Sequence, residues 1–205
     1  MSQRLEVHPD NPQRRLIAQA VAVLDRGGLI AYPTDSGYAL GWRLASTAAQ
    51  ERVVRLRRLD NRHNFTLVCR HLSEIGAYAR MHDAAFRLIR SLTPGPYTFL
   101  LPAAAHLPRH LKQAKKRSVG VRIPDHRVAL ALVEELGEPL SSSSLILPDE
   151  DMAGWEVDDL YQRVVRDVDL FLDSGHCGDT PTTVIDLTDD APVLVRQGKG
   201  EVPFA

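Results

Sequence analysis

A short apolar run at residues 29–32 lies between the diglycine Gly27-Gly28 and the break Pro33-Thr34-Asp35-Ser36-Gly37. No other stretch limits the fold more tightly. Upstream, Leu16, Ala20, Val21, Val23 and Leu24 recur at helical spacing, so one helical face is apolar. Asn11 followed by Pro12 reads as a cap with proline in the first turn, and the glycines stop the helix. A helix feeding a fully apolar strand, which then opens into a turn, is the repeating unit of an α/β sheet buried on both faces.

The same alternation continues downstream. Thr47 with Gln50 reads as a capping box opening a second helix, with Val53, Val54 and Leu56 inward and arginines outward. Strands are expected at residues 65–69, 97–101 and 119–123, with helices near 73–78, 83–91 and 128–136. Gly137 ends the last of these helices. Pro94-Gly95-Pro96 reads as a rigid turn. Residues 112–117 read as a basic, exposed connection, residues 141–144 as a serine loop and residues 149–156 as an acidic loop. Three late strands are expected at 168–172, 184–187 and 193–195. Helices alternate with strands early and strands cluster late, so an open mixed sheet with flanking helices fits better than a parallel one.

The 205 residues, 44% of them hydrophobic, suit one domain spanning 1–205. A formal net charge of -1 gives no global pull toward nucleic acid. Cys69 and Cys177 lack CxxC spacing and read as reduced thiols. The first residues lack the basic segment and apolar core of a signal peptide, and no apolar run is long enough for a membrane span. The expectation is a cytoplasmic chain.

Several residues could carry chemistry. The loop at 33–37 leaves a buried strand, where open α/β sheets bind ligands. Thr34 and Ser36 offer hydroxyls there. A plain turn with an Asx hydrogen bond is the alternative. Arg52, Arg55, Arg57, Arg58 and Arg62 crowd one helix and its following loop, with His63 beyond. Guanidinium forks suit phosphate or carboxylate oxygens. A solvated face pairing with Glu51 and Asp60 is the alternative, and the 61–64 loop that ends the cluster favours the anion site. Arg122 ends an apolar strand, so it must either pair internally or face a cleft. There is no GxxxxGK[ST], GxGxxG or GxSxG motif and no metal-ligand spacing. Arginines and hydroxyls without a nucleophile fit chemistry run by positioning and charge stabilisation.

In order along the chain, Tyr32-Pro33-Thr34-Asp35-Ser36-Gly37-Tyr38-Ala39-Leu40-Gly41, Arg55-x-Arg57, Pro94-Gly95-Pro96-Tyr97-Thr98, Val121-Arg122-Ile123-Pro124-Asp125-His126, Ser142-Ser143-Ser144, Thr182-Thr183-Val184-Ile185-Asp186 and Val195-Arg196-x-Gly198 resemble the YrdC-like family of threonylcarbamoyl-AMP synthases. His8-Pro9-Asp10-Asn11-Pro12 and Arg62-His63-Asn64-Phe65-Thr66-Leu67 resemble its YciO branch. The resemblance implies a twisted open mixed sheet with flanking helices and a concave basic face. It implies that threonine, bicarbonate and ATP form threonylcarbamoyl-AMP and pyrophosphate for tRNA modification. Magnesium would accompany ATP, with no metal held by protein side chains and no tightly bound cofactor.

Mapped by motif, Thr34, His63, Arg122, Ser142 and Thr182 resemble the threonine side. Arg55, Arg57, Ser118, Ser144 and Arg196 resemble the ATP side, and Ser36 and Thr98 are further cleft residues. Two departures stand out. Lys-x-Arg-Pro of the family is Arg55-Leu56-Arg57-Arg58 here, and Ser-Ala-Asn is replaced at Ser144-Leu145-Ile146-Leu147-Pro148. Each lost polar contact would cost about 1–3 kcal/mol, so a weak or altered synthase is expected. The alternative is an RNA-binding protein, for double-stranded RNA, tRNA or rRNA, without strong synthase activity. It would use Arg52, Arg58, Arg62, Arg109, Lys112, Lys115, Lys116 and Arg117 against phosphates.

Overall fold

The computed structural model describes residues 2–60, 63, 65–113, 116–150, 152 and 154–204. Its core is one ten-stranded mixed sheet. In chain order the elements are β1 (Gln3–Glu6), α1 (Arg14–Asp25), β2 (Ile30–Thr34), β3 (Gly37–Arg43), α2 (Thr47–Arg57), β4 (Thr66–Val68), α3 (Leu72–Ile75), α4 (Asp83–Leu92) and β5 (Tyr97–Pro102). A short 3-10 turn at Arg109–Leu111 precedes β6 (Ser118–Arg122), α5 (Arg127–Leu136), β7 (Leu140–Ser144), α6 (Val157–Val164), β8 (Leu170–Asp173), β9 (Thr183–Asp186) and β10 (Val193–Arg196). Across the sheet the order is β1-β8-β2-β3-β7-β4-β6-β5-β9-β10.

The alternating pattern is legible in three buried clusters. α1 and α5 pack Ile17, Leu24, Leu132 and Leu136 against Ile30, Leu140 and Leu172. On α2 and α6, Val53, Leu160 and Val164 share a cluster with Leu29, Leu40, Trp42 and Phe171. Ile89 of α4 shares a third with Phe99, Val121 and Ile185. Gly137 ends α5 with φ 75°, a left-handed conformation that glycine adopts without a Cβ clash.

Several expectations change. α1 starts at Arg14, and Asn11 does not cap it: its N-cap is Gln13, with no side-chain cap bond. The Gln13 side chain instead accepts from the His8 backbone N–H. The capping box expected at Thr47 and Gln50 gives way to a simple N-cap one residue earlier, where Ser46 Oγ accepts from the Ala49 N–H. The presumed loop at 33–37 is largely strand. β2 runs through Pro33 to Thr34 and turns at once into β3, with Thr34 opposite Gly37.

The serine run is a strand as well. β7 sits between β3 and β4, with Gly41 opposite Ser142 and Thr66 opposite Ser142 on its other side. β1, β3 and α6 have no counterpart in the sequence reading, and α3 is shorter than expected. Among the described residues no helix is long and apolar enough to cross a membrane.

Candidate functional site

Three polar clusters form from hydroxyls and guanidiniums that β2, α2, β5, β6, β7, β10 and the residue before β9 bring together. The first surrounds Arg122, only 5% exposed at the end of β6. Its Nη2 donates to Asp35, to Ser36 Oγ at 2.9 Å and to Thr34 Oγ1 at 3.4 Å. Asp35 also accepts from the Asp125 backbone N–H at 2.9 Å. Arg122 Nε is buried without a hydrogen-bond partner. Thr34 Oγ1 donates to the Gly37 carbonyl at 2.6 Å, which locks the hairpin tip. Of the two options for a buried arginine at a strand end, this one pairs internally and keeps one donor spare.

The second cluster joins Arg57, His63 and Ser143. Arg57 Nε donates to the Ile146 carbonyl at 3.0 Å, and its Nη1 donates to Ser143 Oγ. His63 Nε2 lies 3.4 Å from the same hydroxyl, and its ring packs edge-on to Phe65. Burial pushes the Arg57 pKa down to about 10, helped by the charge of Arg196. Burial also pushes His63 down to about 4, and Arg57 and Arg196 add to the effect. His63 is therefore a neutral imidazole at pH 7.

The third cluster is Arg196, Thr182 and Thr98. Arg196 donates to the Thr182 carbonyl at 3.1 and 2.8 Å and to Thr182 Oγ1 at 3.1 Å. Thr182 Oγ1 lies 3.0 Å from Thr98 Oγ1. Burial lowers the Arg196 pKa. Among the described residues neither Arg57 nor Arg196 has a carboxylate partner, although each repels the other's charge.

The serines divide between the two faces of β7. Strand side chains alternate between faces, so Ser141 and Ser143 share one face and Ser142 and Ser144 the other. Ser143, absent from the mapped set, is the hydroxyl that Arg57 and His63 meet. Ser142 turns away, 2.7 Å from Tyr32 Oη and donating to the Leu40 carbonyl. A run read as a loop hides this choice, whereas the same run read as a strand shows it.

Ser118 is fully buried at the start of β6, and its carbonyl accepts from Gln113 N–H. Arg55 is exposed and has no ion pair among the described residues. Lys199, also unforeseen, donates from Nζ to the Asp35 carbonyl at 2.6 Å. Asp35 stood inside a recognised motif. Its pairing role needed only the rule that a buried guanidinium seeks a carboxylate.

Three residues of the basic patch are ion-paired. Arg52 pairs with Asp169, Arg58 with Asp149 and Lys116 with Asp186. Lys112 Nζ donates to the Ala105 carbonyl. Arg109 and Arg117 are exposed. Arg62 and Lys115 lie outside the described residues.

Beside the polar clusters lies a cavity of about 300 Å³, whose lining includes Ser36, Tyr38, Ser144, Ile146, Met152 and Trp155. Leu145 and Leu147 are buried, while Ile146 between them is 39% exposed.

The Sua5/YciO/YrdC family model, "Telomere recombination", matches residues 22–198. The chain belongs to this family. It is 50% identical to the uncharacterised protein YciO of Escherichia coli K12 over 205 residues, covering all of both chains. The crystal structure of E. coli YciO superposes with a TM-score of 0.95 at 49% identity, covering 99% of this chain and 98% of that one. A threonylcarbamoyl-AMP synthase of Chromobacterium violaceum is 35% identical over 137 residues, 66% of this chain and 70% of that protein. The fold also matches P. abyssi Sua5 complexed with L-threonine, with a TM-score of 0.86 at 24% identity over 96% of this chain and 58% of that one. The open twisted mixed sheet with flanking helices expected from the motifs is the fold that these structures share.

Proposed function

We propose that this chain uses ATP to adenylate a small carbamate-bearing substrate, as a weak or altered threonylcarbamoyl-AMP synthase. One observation carries the reading. Arg57 is half-buried and Arg196 lies on the exposed strand β10, neither has a carboxylate partner among the described residues, and the charge of Arg196 lowers the pKa of Arg57. Two guanidiniums in that state are stabilised by an anion between them, and polyphosphate oxygens match their planar forks. The synthases among its relatives supply the chemical context.

In this reading Arg57 and Arg196 hold the ATP phosphates, with Arg55 at the rim. Magnesium arrives on the nucleotide; among the described residues no group of His, Cys, Asp or Glu is placed to hold a metal ion. Arg122 Nη1, which makes no hydrogen bond among the described residues, is the donor left for a substrate carboxylate, because Nη2 is taken by Asp35 and Nε is fully buried. Threonine and bicarbonate supply the carbamate. Its oxygen attacks the α-phosphorus, the bond from that phosphorus to the pyrophosphate oxygen breaks, and pyrophosphate leaves. Guanidiniums stabilise the charge shifted onto the leaving oxygens. Neutral His63 and Ser143 orient groups beside them.

The test is pyrophosphate release from ATP, magnesium, bicarbonate and threonine by the purified chain. Threonine-dependent release is expected, and Arg57→Ala or Arg196→Ala should weaken ATP binding at least about tenfold, as for loss of a charged hydrogen bond. Release indifferent to threonine would defeat the synthase reading. The RNA-binding alternative has fewer uncommitted cations to draw on, since Arg52, Arg58 and Lys116 are paired. Filter binding at low salt tests it directly.

A further inference from the structure

Three segments far apart in the chain meet on Asp35, at the tip of the β2–β3 hairpin. One carboxylate oxygen accepts from Arg122 Nη2 at the end of β6. The other accepts from the Asp125 backbone N–H at 2.9 Å, just before α5. The Asp35 carbonyl accepts from Lys199 Nζ at 2.6 Å, beyond β10. Asp35 is therefore pinned by side chain and backbone together. The Arg122 and Asp35 side chains are 6% and 10% exposed, so water screens their pairing little. A guanidinium is planar, and holding one of its nitrogens fixes the directions of the others. Asp35 and Ser36 Oγ hold Nη2, while Nε is buried without a partner. The direction of Nη1, the donor assigned to a substrate carboxylate, is thus set by a residue that has no part in the reaction as described.

We propose that Asp35 is a positioning residue for the substrate carboxylate, orienting Arg122 so that Nη1 is presented to it. The inference rests on the adenylation reading and adds a residue that acts through Arg122 without touching the substrate. Charge alone predicts the opposite of orientation. A carboxylate near the site repels the substrate carboxylate, so on charge alone its removal would tighten substrate binding.

Two variants of the full chain separate these effects. Asp35→Asn keeps the size of the side chain and removes the charge that draws Arg122. Asp35→Glu keeps the charge and displaces the guanidinium on a longer stem, so it decides the matter even if Asp35→Asn does not fold. In the pyrophosphate-release assay, KM for threonine should rise at least about tenfold in D35N, the scale of one charged hydrogen bond. It should rise in D35E as well. In both, kcat and the calorimetric affinity for ATP should hold, the signature of lost substrate binding alone. Tighter threonine binding in D35N, an unchanged KM in D35E, or an equal loss of ATP affinity would overturn the proposal. Nitrogen-15 NMR of the unsubstituted chain reads the orientation without any activity. The Arg122 Nη signals, identified by their loss in R122K, should be resolved from each other because the fork is held. Averaged signals would overturn the positioning role and leave the adenylation reading standing. Pyrophosphate release indifferent to threonine would sink the adenylation reading while the resolved signals remained.

Discussion

At the scale of single residues, His63 shows how burial and charge set chemistry together. Burial first, then Arg57, hold its pKa near 4 against an ordinary value of 6.5. The unfolded chain therefore binds this proton more readily than the folded one between those values. The neutral ring contributes its full share of stability above about pH 6.5, and that share is lost as pH falls toward 4. His63→Gln should flatten the pH dependence of the urea midpoint across this window. His126 is also held low by burial, so some slope will remain. An unchanged slope in the variant would show that the ring is solvated in the folded state. Sequence alone exposed Arg122 as a buried cation in need of a partner. It did not expose Asp35 as that partner, because the two are 87 positions apart and only the β2–β3 turn aims the carboxylate inward.

At the scale of elements, β7 is the instructive strand. Four consecutive serines carry none of the apolar signal that marks a buried strand. Neighbouring elements satisfy two of them, with Tyr32 meeting Ser142 and Arg57 and His63 meeting Ser143, while Ser141 Oγ is buried without a partner among the described residues. Gly41 of β3 makes the first contact possible. A Cβ there would lie 2.7 Å from Leu140 and 2.9 Å from the Tyr32 ring. Gly41→Ala should displace Tyr32 from Ser142 and destabilise the fold by about 1–3 kcal/mol, the usual cost of overpacking a core. Urea denaturation measures it, and a neutral result would mean that the sheet relaxes at no cost. Caps slipped by a residue or more because polar side chains near a helix start compete for several roles. Gln13 spends its amide on His8, and Ser46 reaches Ala49 before Thr47 can act.

At the scale of the molecule, the sheet ends on an exposed edge. Val193 and Val195 are 56% and 55% exposed on β10, which pairs on one side with β9 and has no strand beyond it among the described residues. An apolar edge strand is a template for pairing with other chains. Val195→Lys should lower concentration-dependent light scattering while leaving the unfolding midpoint within about 0.5 kcal/mol. Equal scattering by both proteins would show that the edge is inert. The sequence by itself determined the α/β class, most strands and the residues rich in charge and hydroxyl, because hydrophobic period and residue chemistry are local properties. The tertiary structure alone decided which serine faces the arginines, which carboxylate holds Arg122 and where an apolar cavity opens beside them. Those depend on strand register and on distant segments meeting, and a one-residue change of register turns each side chain to the opposite face.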